Sequence, residues 1–165
     1  MKLFFYFFIF LFLVVFNIKI TTHAAQPKNI ANTIFSILSY VNLETKSPLI
    51  CTINNPSLSG QLVKNKLPQS KYQLKNINTT DIKKSNCNVI IFSTVSPKEE
   101  QSILNSYVNF PTLSISTNNI SCEEGSAICL YQNKDQISFK INLESVNQSK
   151  IAIDPRVLLL AKESE

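Results

Sequence analysis

Four cysteines carry the most reactive side chains in this sequence: Cys51, Cys87, Cys122 and Cys129. The last two are separated by six residues, Glu123 to Ile128, and enclose one of only two glycines, Gly125. Thiols at such spacings could bind a metal, cycle electrons or cross-link. A zinc knuckle needs closer pairs and usually a histidine, and a redox-active pair is normally Cys-x-x-Cys, which is absent. Cross-linking is what remains. An even cysteine count behind an export signal implies two disulfides, for which three pairings exist. Joining neighbours, Cys51 with Cys87 and Cys122 with Cys129, is the simplest. In the loop-entropy picture the longer closure contributes about 3.8 kcal/mol and the shorter about 2.5 kcal/mol.

Other chemistry is sparse. The single histidine, His23, lies in the N-terminal leader, so the mature chain lacks the usual general base and the commonest metal ligand. This argues against a hydrolase triad or a zinc enzyme, and no catalytic residue, metal ligand or cofactor is assigned. Glu123 and Glu124, adjacent in a tight loop, diverge and read as solvated. Lys64, Lys66, Lys71, Lys75, Lys83 and Lys84, opposed in that span only by Asp81, form the sharpest charge asymmetry. They read first as a solvated face, and could also steer association with an acidic partner or anionic lipid. Asn142 ends an alternating stretch and is positioned to satisfy backbone groups where the chain turns. Asn78, Asn119 and Asn147 fit the glycosylation pattern, which matters only in a eukaryotic secretory route.

The elements that would position these residues begin after a leader. Met1 and Lys2 precede an uncharged apolar run from Leu3 to Phe16, and Thr22-His23-Ala24-Ala25 offers a processing site. Residues 1–24 are therefore expected to be a signal peptide, cut before Ala25. An uncleaved anchor would need the run to extend through Ile20 across Asn17 and Lys19. The remaining 25–165, about 140 residues, suits one domain. Losing Lys2 and Lys19 lowers the net charge from +5 to +3. That is too slight for a nucleic-acid surface, which needs a dense basic stripe with interleaved aromatics.

Within this domain Ile30, Ile34, Ile37, Leu38 and Val41 recur at helical spacing after Pro27 and Asn29. Leu49 to Ile53 reads as a strand, Ser57 as the cap of a short helix through Leu62, and Tyr72 to Asn76 as a weak strand. Asn78 to Asn86 reads as a polar turn. Val89 to Phe92, apolar without alternation, predicts a strand covered on both faces at the centre of the sheet. Ser96, Pro97 and Glu99 give an N-cap, a first-turn proline and a capping-box acid for a helix carrying Ile103, Leu104 and Tyr107. Thr112 to Ser116 alternates as a strand. Leu130 and Tyr131, a turn at Asn133 to Asp135, and Ile137, Phe139, Ile141 and Leu143 alternating with polar residues predict a hairpin with one wet face. A helical turn from Leu143, an extended piece at Ile151 to Ile153 and a helix opened by Asp154 and Pro155 close the chain. The fold class is α/β: a largely parallel central sheet flanked by helices, with an antiparallel, disulfide-stapled hairpin.

Val89-Ile-Ile-Phe92, Pro111-Thr-Leu-Ser-Ile115, Cys122 to Cys129, Phe139-Lys-Ile-Asn-Leu143 and Ile151-Ala-Ile-Asp-Pro-Arg-Val-Leu-Leu-Leu-Ala-Lys162 together resemble the YfiR family of small periplasmic proteins. The resemblance implies an α/β fold, a regulatory role and disulfides Cys51 with Cys87 and Cys122 with Cys129; no enzymatic activity is expected, because the mature chain lacks histidine. The resemblance also implies repression of an inner-membrane diguanylate cyclase through its periplasmic domain, lowering cyclic di-GMP, with sequestration by an outer-membrane lipoprotein. Where many members carry Trp-Pro this chain has Leu43-Glu44, its hairpin turn lacks glycine, and no role passes to Arg156. A homodimer is also compatible with this reading. The competing reading is a periplasmic small-molecule-binding module, with a cleft beside the strand ends.

Overall fold

The computed structural model describes residues 29–66, 70–134 and 136–162. The expected leader, with His23, and Asp135 of the hairpin turn lie outside the described residues. Helix α1 (Ile30–Leu38) starts where Asn29 accepts the Asn32 N–H at 3.1 Å, and buries Ala31, Ile34, Ile37 and Leu38. The sequence pattern predicts a helical stripe running on to Val41, but the helix closes at Ser39. Val41 instead opens β1 (Val41–Asn42), paired antiparallel with β8 (Ala152–Ile153), Val41 opposite Ile153.

Strand β2 (Leu49–Ile53) leads through α2 (Pro56–Asn65) to β3 (Gln73–Ile77). Asn55, not Ser57, caps α2: its Oδ1 accepts the Leu58 N–H at 2.9 Å, and Pro56 occupies the first turn, where a missing N–H costs nothing. The polar stretch after β3 is more ordered than a turn. It makes a 3-10 turn at Thr79–Asp81 and the short α3 (Ile82–Ser85), with Ile82 buried. Asn86 then turns in the left-handed region, at φ 48°, into β4 (Val89–Phe92). Helix α4 (Pro97–Tyr107) carries the full capping box between Ser96 and Glu99 and returns the chain to β5 (Leu113–Ser116).

The six-stranded sheet runs β3-β2-β4-β5-β6-β7, with β6 (Ile128–Asn133) parallel to β5 and β7 (Gln136–Ile141) antiparallel to β6. The chain steps from β2 to β3 on one side, then recrosses to β4 on the other, so the winding is double. One face packs Ile50, Val89, Ile91, Leu113, Ile115 and Leu130 against α1 and α2. The other packs Cys51, Ile53, Ile77, Ile90 and Phe92 against α3 and α4. β4 lies between β2 and β5 with all four residues buried, as its unbroken apolar run requires. Each fully enclosed Ile or Phe contributes on the order of 1.5–3 kcal/mol.

Two alternations differ from expectation. In β7 the outward position Ser138 is buried, so the wet face is wet only at Gln136 and Lys140. That strand stops at Ile141: Asn142 caps α5 (Leu143–Ser149) by accepting the Ser145 N–H at 3.0 Å, which leaves Leu143 76% exposed. In β5 both faces are buried, because Ser114 and Ser116 point at polar partners beneath α4. The chain closes with α6 (Val157–Lys162), and among the described residues no helix is long and apolar enough to cross a membrane.

Candidate functional site

The four cysteines form the two bridges of the simplest pairing, Cys51–Cys87 and Cys122–Cys129, and among the described residues no thiol is free. The first bridge is internal. Cys51 on β2 is joined to Cys87 ahead of β4 within the apolar layer under α3 and α4. Beside it Asn88 Oδ1 accepts the Leu49 N–H at 2.9 Å. The second bridge is different, since it folds a surface loop back onto β6.

That loop is fixed from inside by side chains to which the sequence patterns gave no structural role. Asn119 is fully buried; its Oδ1 accepts the Cys122 N–H at 2.9 Å while its Nδ2 donates to the Glu124 carbonyl at 2.8 Å. Both amide ends are occupied, which closes Asn119 to glycosylation, whereas Asn78 and Asn147 are exposed. Cys122 itself sits in the left-handed region at φ 61°.

Glu100 is the anchor. Its carboxylate is completely buried, with Oε1 accepting the Ser116 hydroxyl at 2.6 Å and Oε2 accepting both the hydroxyl (2.8 Å) and the N–H (3.1 Å) of Ser126. Burial pushes its pKa above the ordinary glutamate value; the hydrogen bonds from Ser116 and Ser126 pull the other way and do not cancel it. The sole ion pair among the described residues is Arg156 with Asp154, so no cation compensates Glu100 there. The stripe Glu100, Ile103, Leu104 and Tyr107 has helical spacing, and a carboxylate on an otherwise apolar stripe was the signal available in the sequence.

Gly125 is required where it stands. It has φ 87°, and a Cβ there would lie 2.8 Å from Glu100 Oε2 and 2.9 Å from the Pro97 carbonyl. Its N–H donates to Gln101 Oε1 at 3.0 Å and its carbonyl accepts the Ser145 hydroxyl at 2.8 Å. Ala127 continues the attachment, donating to Ser114 Oγ at 2.9 Å and accepting the Asn142 N–H at 2.9 Å. The Asn142 side chain satisfies a backbone group where the chain turns, as expected, by accepting the Ser145 N–H. The loop is thereby tied to α4, β5 and α5 as well as to β6.

What faces solvent is the loop's tip: Ile120, 67% exposed, with Ser121, Glu123 and Glu124. Lys140 supports its base, donating to the Ile120 carbonyl at 2.9 Å with its ammonium 5.5 Å from the Tyr131 ring centroid. No group of three or more His, Cys, Asp or Glu side chains suited to a metal occurs among the described residues. The arrangement can present a shape and hold it, with its carboxylate buried beneath the loop.

Fold and loop together define a doubly wound α/β domain whose cross-links hold a protein surface. The chain belongs to the YfiR/HmsC-like family, a family of periplasmic regulators, whose model matches residues 28–162. Two closed bridges are the state expected of a protein in oxidising surroundings.

Proposed function

We propose that this protein is exported by its 1–24 leader and acts in the periplasm as a non-enzymatic repressor. It binds the periplasmic domain of an inner-membrane diguanylate cyclase and so lowers cyclic di-GMP. The observation that carries this reading is membership of the YfiR/HmsC-like family over 28–162. The stapled loop supports it, because a tip fixed before encounter loses little conformational entropy on binding. Relief of repression through an outer-membrane lipoprotein, and self-association as a homodimer, belong to the same reading. Deleting the gene in a strain that carries a candidate cyclase raises cyclic di-GMP; an unchanged level overturns the proposal.

A second reading, a small-molecule-binding module, is favoured by one observation. Ser93, just past β4 where the winding reverses, has a buried hydroxyl with no hydrogen-bond partner among the described residues. Thermal-shift screening of the oxidised protein discriminates: a ligand whose stabilisation is lost in Ser93→Ala supports this reading, and binding of the cyclase domain without any ligand supports the first.

A further inference from the structure

The sheet has an open side at β3, which pairs only with β2. Gln73 donates to the Pro48 carbonyl and Asn54 donates to the Ile77 carbonyl, both at 2.9 Å. In a parallel ladder this turns the main-chain groups of Gln73, Lys75 and Ile77 toward β2 and those of Leu74 and Asn76 outward. The preceding outward carbonyl, of Tyr72, already accepts Lys66 Nζ at 3.1 Å. The groups of Leu74 and Asn76 have no partner among the described residues.

Beside the entry to this strand lies a groove of about 650 Å³ between α1 and β3. Phe35 and Tyr72 stack there with centroids 5.9 Å apart, and Ser36, Ser39, Asn65 and Lys71 complete the wall. Lys71 holds its ammonium 5.9 Å from the Tyr72 centroid. The flanking charges are of one sign. Lys64 and Lys66 end α2, Lys71 and Lys75 lie on or beside β3, and none is in an ion pair among the described residues.

We propose that the β3 edge and this groove are the docking surface for an extended acidic segment of the protein partner, which adds a strand to the sheet and seats one aromatic side chain against Phe35 and Tyr72. The proposal deepens the regulatory reading above and rests on it for the partner's existence. Strand addition takes its affinity from main-chain hydrogen bonds and its selectivity from side-chain pockets, and both halves are present. Lysines alone would suit an edge guarded against self-pairing. A guard strand has no use for an aromatic receptor beside it.

The test uses the oxidised, leader-free protein and two synthetic octapeptides, one with a central Phe flanked by Val and then by Asp and Glu, the other with Lys in place of every acid. The acidic peptide is expected to bind, to slow hydrogen exchange at the Leu74 and Asn76 amides and to shift the Phe35 and Tyr72 resonances. Lys71→Glu with Lys75→Glu weakens it about tenfold or more, and replacing the Phe by Ala weakens it further. No binding of the acidic peptide at about 1 mM overturns the proposal. So does binding without protection at Leu74 and Asn76, or binding only to vesicles rich in phosphatidylglycerol. The periplasmic domain of a neighbouring cyclase separates this from the parent reading. Equal capture by the wild type and the double variant leaves the regulator standing and removes the site. Peptide binding with no cyclase capture removes the regulator and leaves the site.

Discussion

Glu100 and Ser126 are 26 residues apart in sequence, yet one carboxylate oxygen of the first accepts both the N–H and the hydroxyl of the second. Helix α4 thereby holds the stapled loop through a buried carboxyl, with Gln101 accepting the Gly125 N–H beside it. Burial raises the pKa of that carboxyl in the folded state. Its contribution to stability is therefore fully present below the unfolded value and is lost as pH rises through the raised folded value. Exposed Glu99 and half-buried Asp154 are lowered, by their bonds to Ser96 and Arg156, and act in the opposite sense. The difference between wild type and Glu100→Gln isolates Glu100. Urea titrations at several pH values will find the Gln variant gaining on the wild type as pH rises above the ordinary glutamate range. Glu100→Ala, which strands the Ser126 N–H, will lose about 2 kcal/mol at low pH, and this deficit too will narrow as pH rises. A wild-type and Gln pair running parallel across pH contradicts this account.

The two glycines make opposite predictions. Gly125→Ala puts a methyl carbon at φ 87° within 3 Å of Glu100 Oε2 and the Pro97 carbonyl, so it must move backbone, and a loss of about 2 kcal/mol or more is expected. Gly60 lies inside α2 with open space, nothing within 4 Å, where a Cβ would stand, and Gly60→Ala should stabilise by about 0.5–1 kcal/mol. Thermal melts of the two variants rank the proposed roles directly, and a stabilised Gly125→Ala would remove the close approach from the account.

Helix capping supplies a third. Asn55 accepts the Leu58 N–H, while Ser57, the cap that the sequence pattern suggests, is exposed one residue inside the helix. Asn55→Ala should cost about 1 kcal/mol and Ser57→Ala nearly nothing. Equal losses from the two, measured by chemical denaturation, would return the cap to Ser57.

That misplacement shows which parts of the molecule local patterns can report. The continuous run Val89 to Phe92, the capping box at Ser96 and Glu99 and the alternation around Phe139 are written in neighbouring residues, and each appears as an element where expected. The two bridges follow from cysteine order. Val41 leaves its helix because a strand partner waits at Ile153, far along the chain, and no periodicity near Val41 carries that information. Ser114 and Ser116 look like the wet positions of an alternating strand, yet they are buried because Glu100 and the Ala127 N–H give them partners. The loop's attachments are thus a property of three-dimensional pairing between polar groups, to which hydropathy is blind. Only the misplaced carboxylate in the stripe of α4 marked the spot.

The bridges themselves allow a final prediction, in which burial modifies loop entropy. Opening Cys122–Cys129, separation 7, releases a short loop worth about 2.5 kcal/mol, and Cys51–Cys87, separation 36, a longer one worth about 3.8 kcal/mol. Cys51 is fully enclosed among Ile53, Ile90 and Phe92, so Cys51→Ser also places a hydroxyl in an apolar layer and should exceed the entropic figure. The double variant Cys51→Ala with Cys87→Ala removes that surcharge and should fall closer to it. For the surface loop the order is different: Asn119, Gly125, Ser126 and Ala127 remain bonded without the sulfur bridge, so Cys122→Ala with Cys129→Ala should keep a cooperative melt at lowered temperature. Denaturation of the three variants under oxidising conditions checks the ranking. If the surface pair proves the more damaging, the loop depends on its disulfide for order and the polar attachments to Glu100 are secondary.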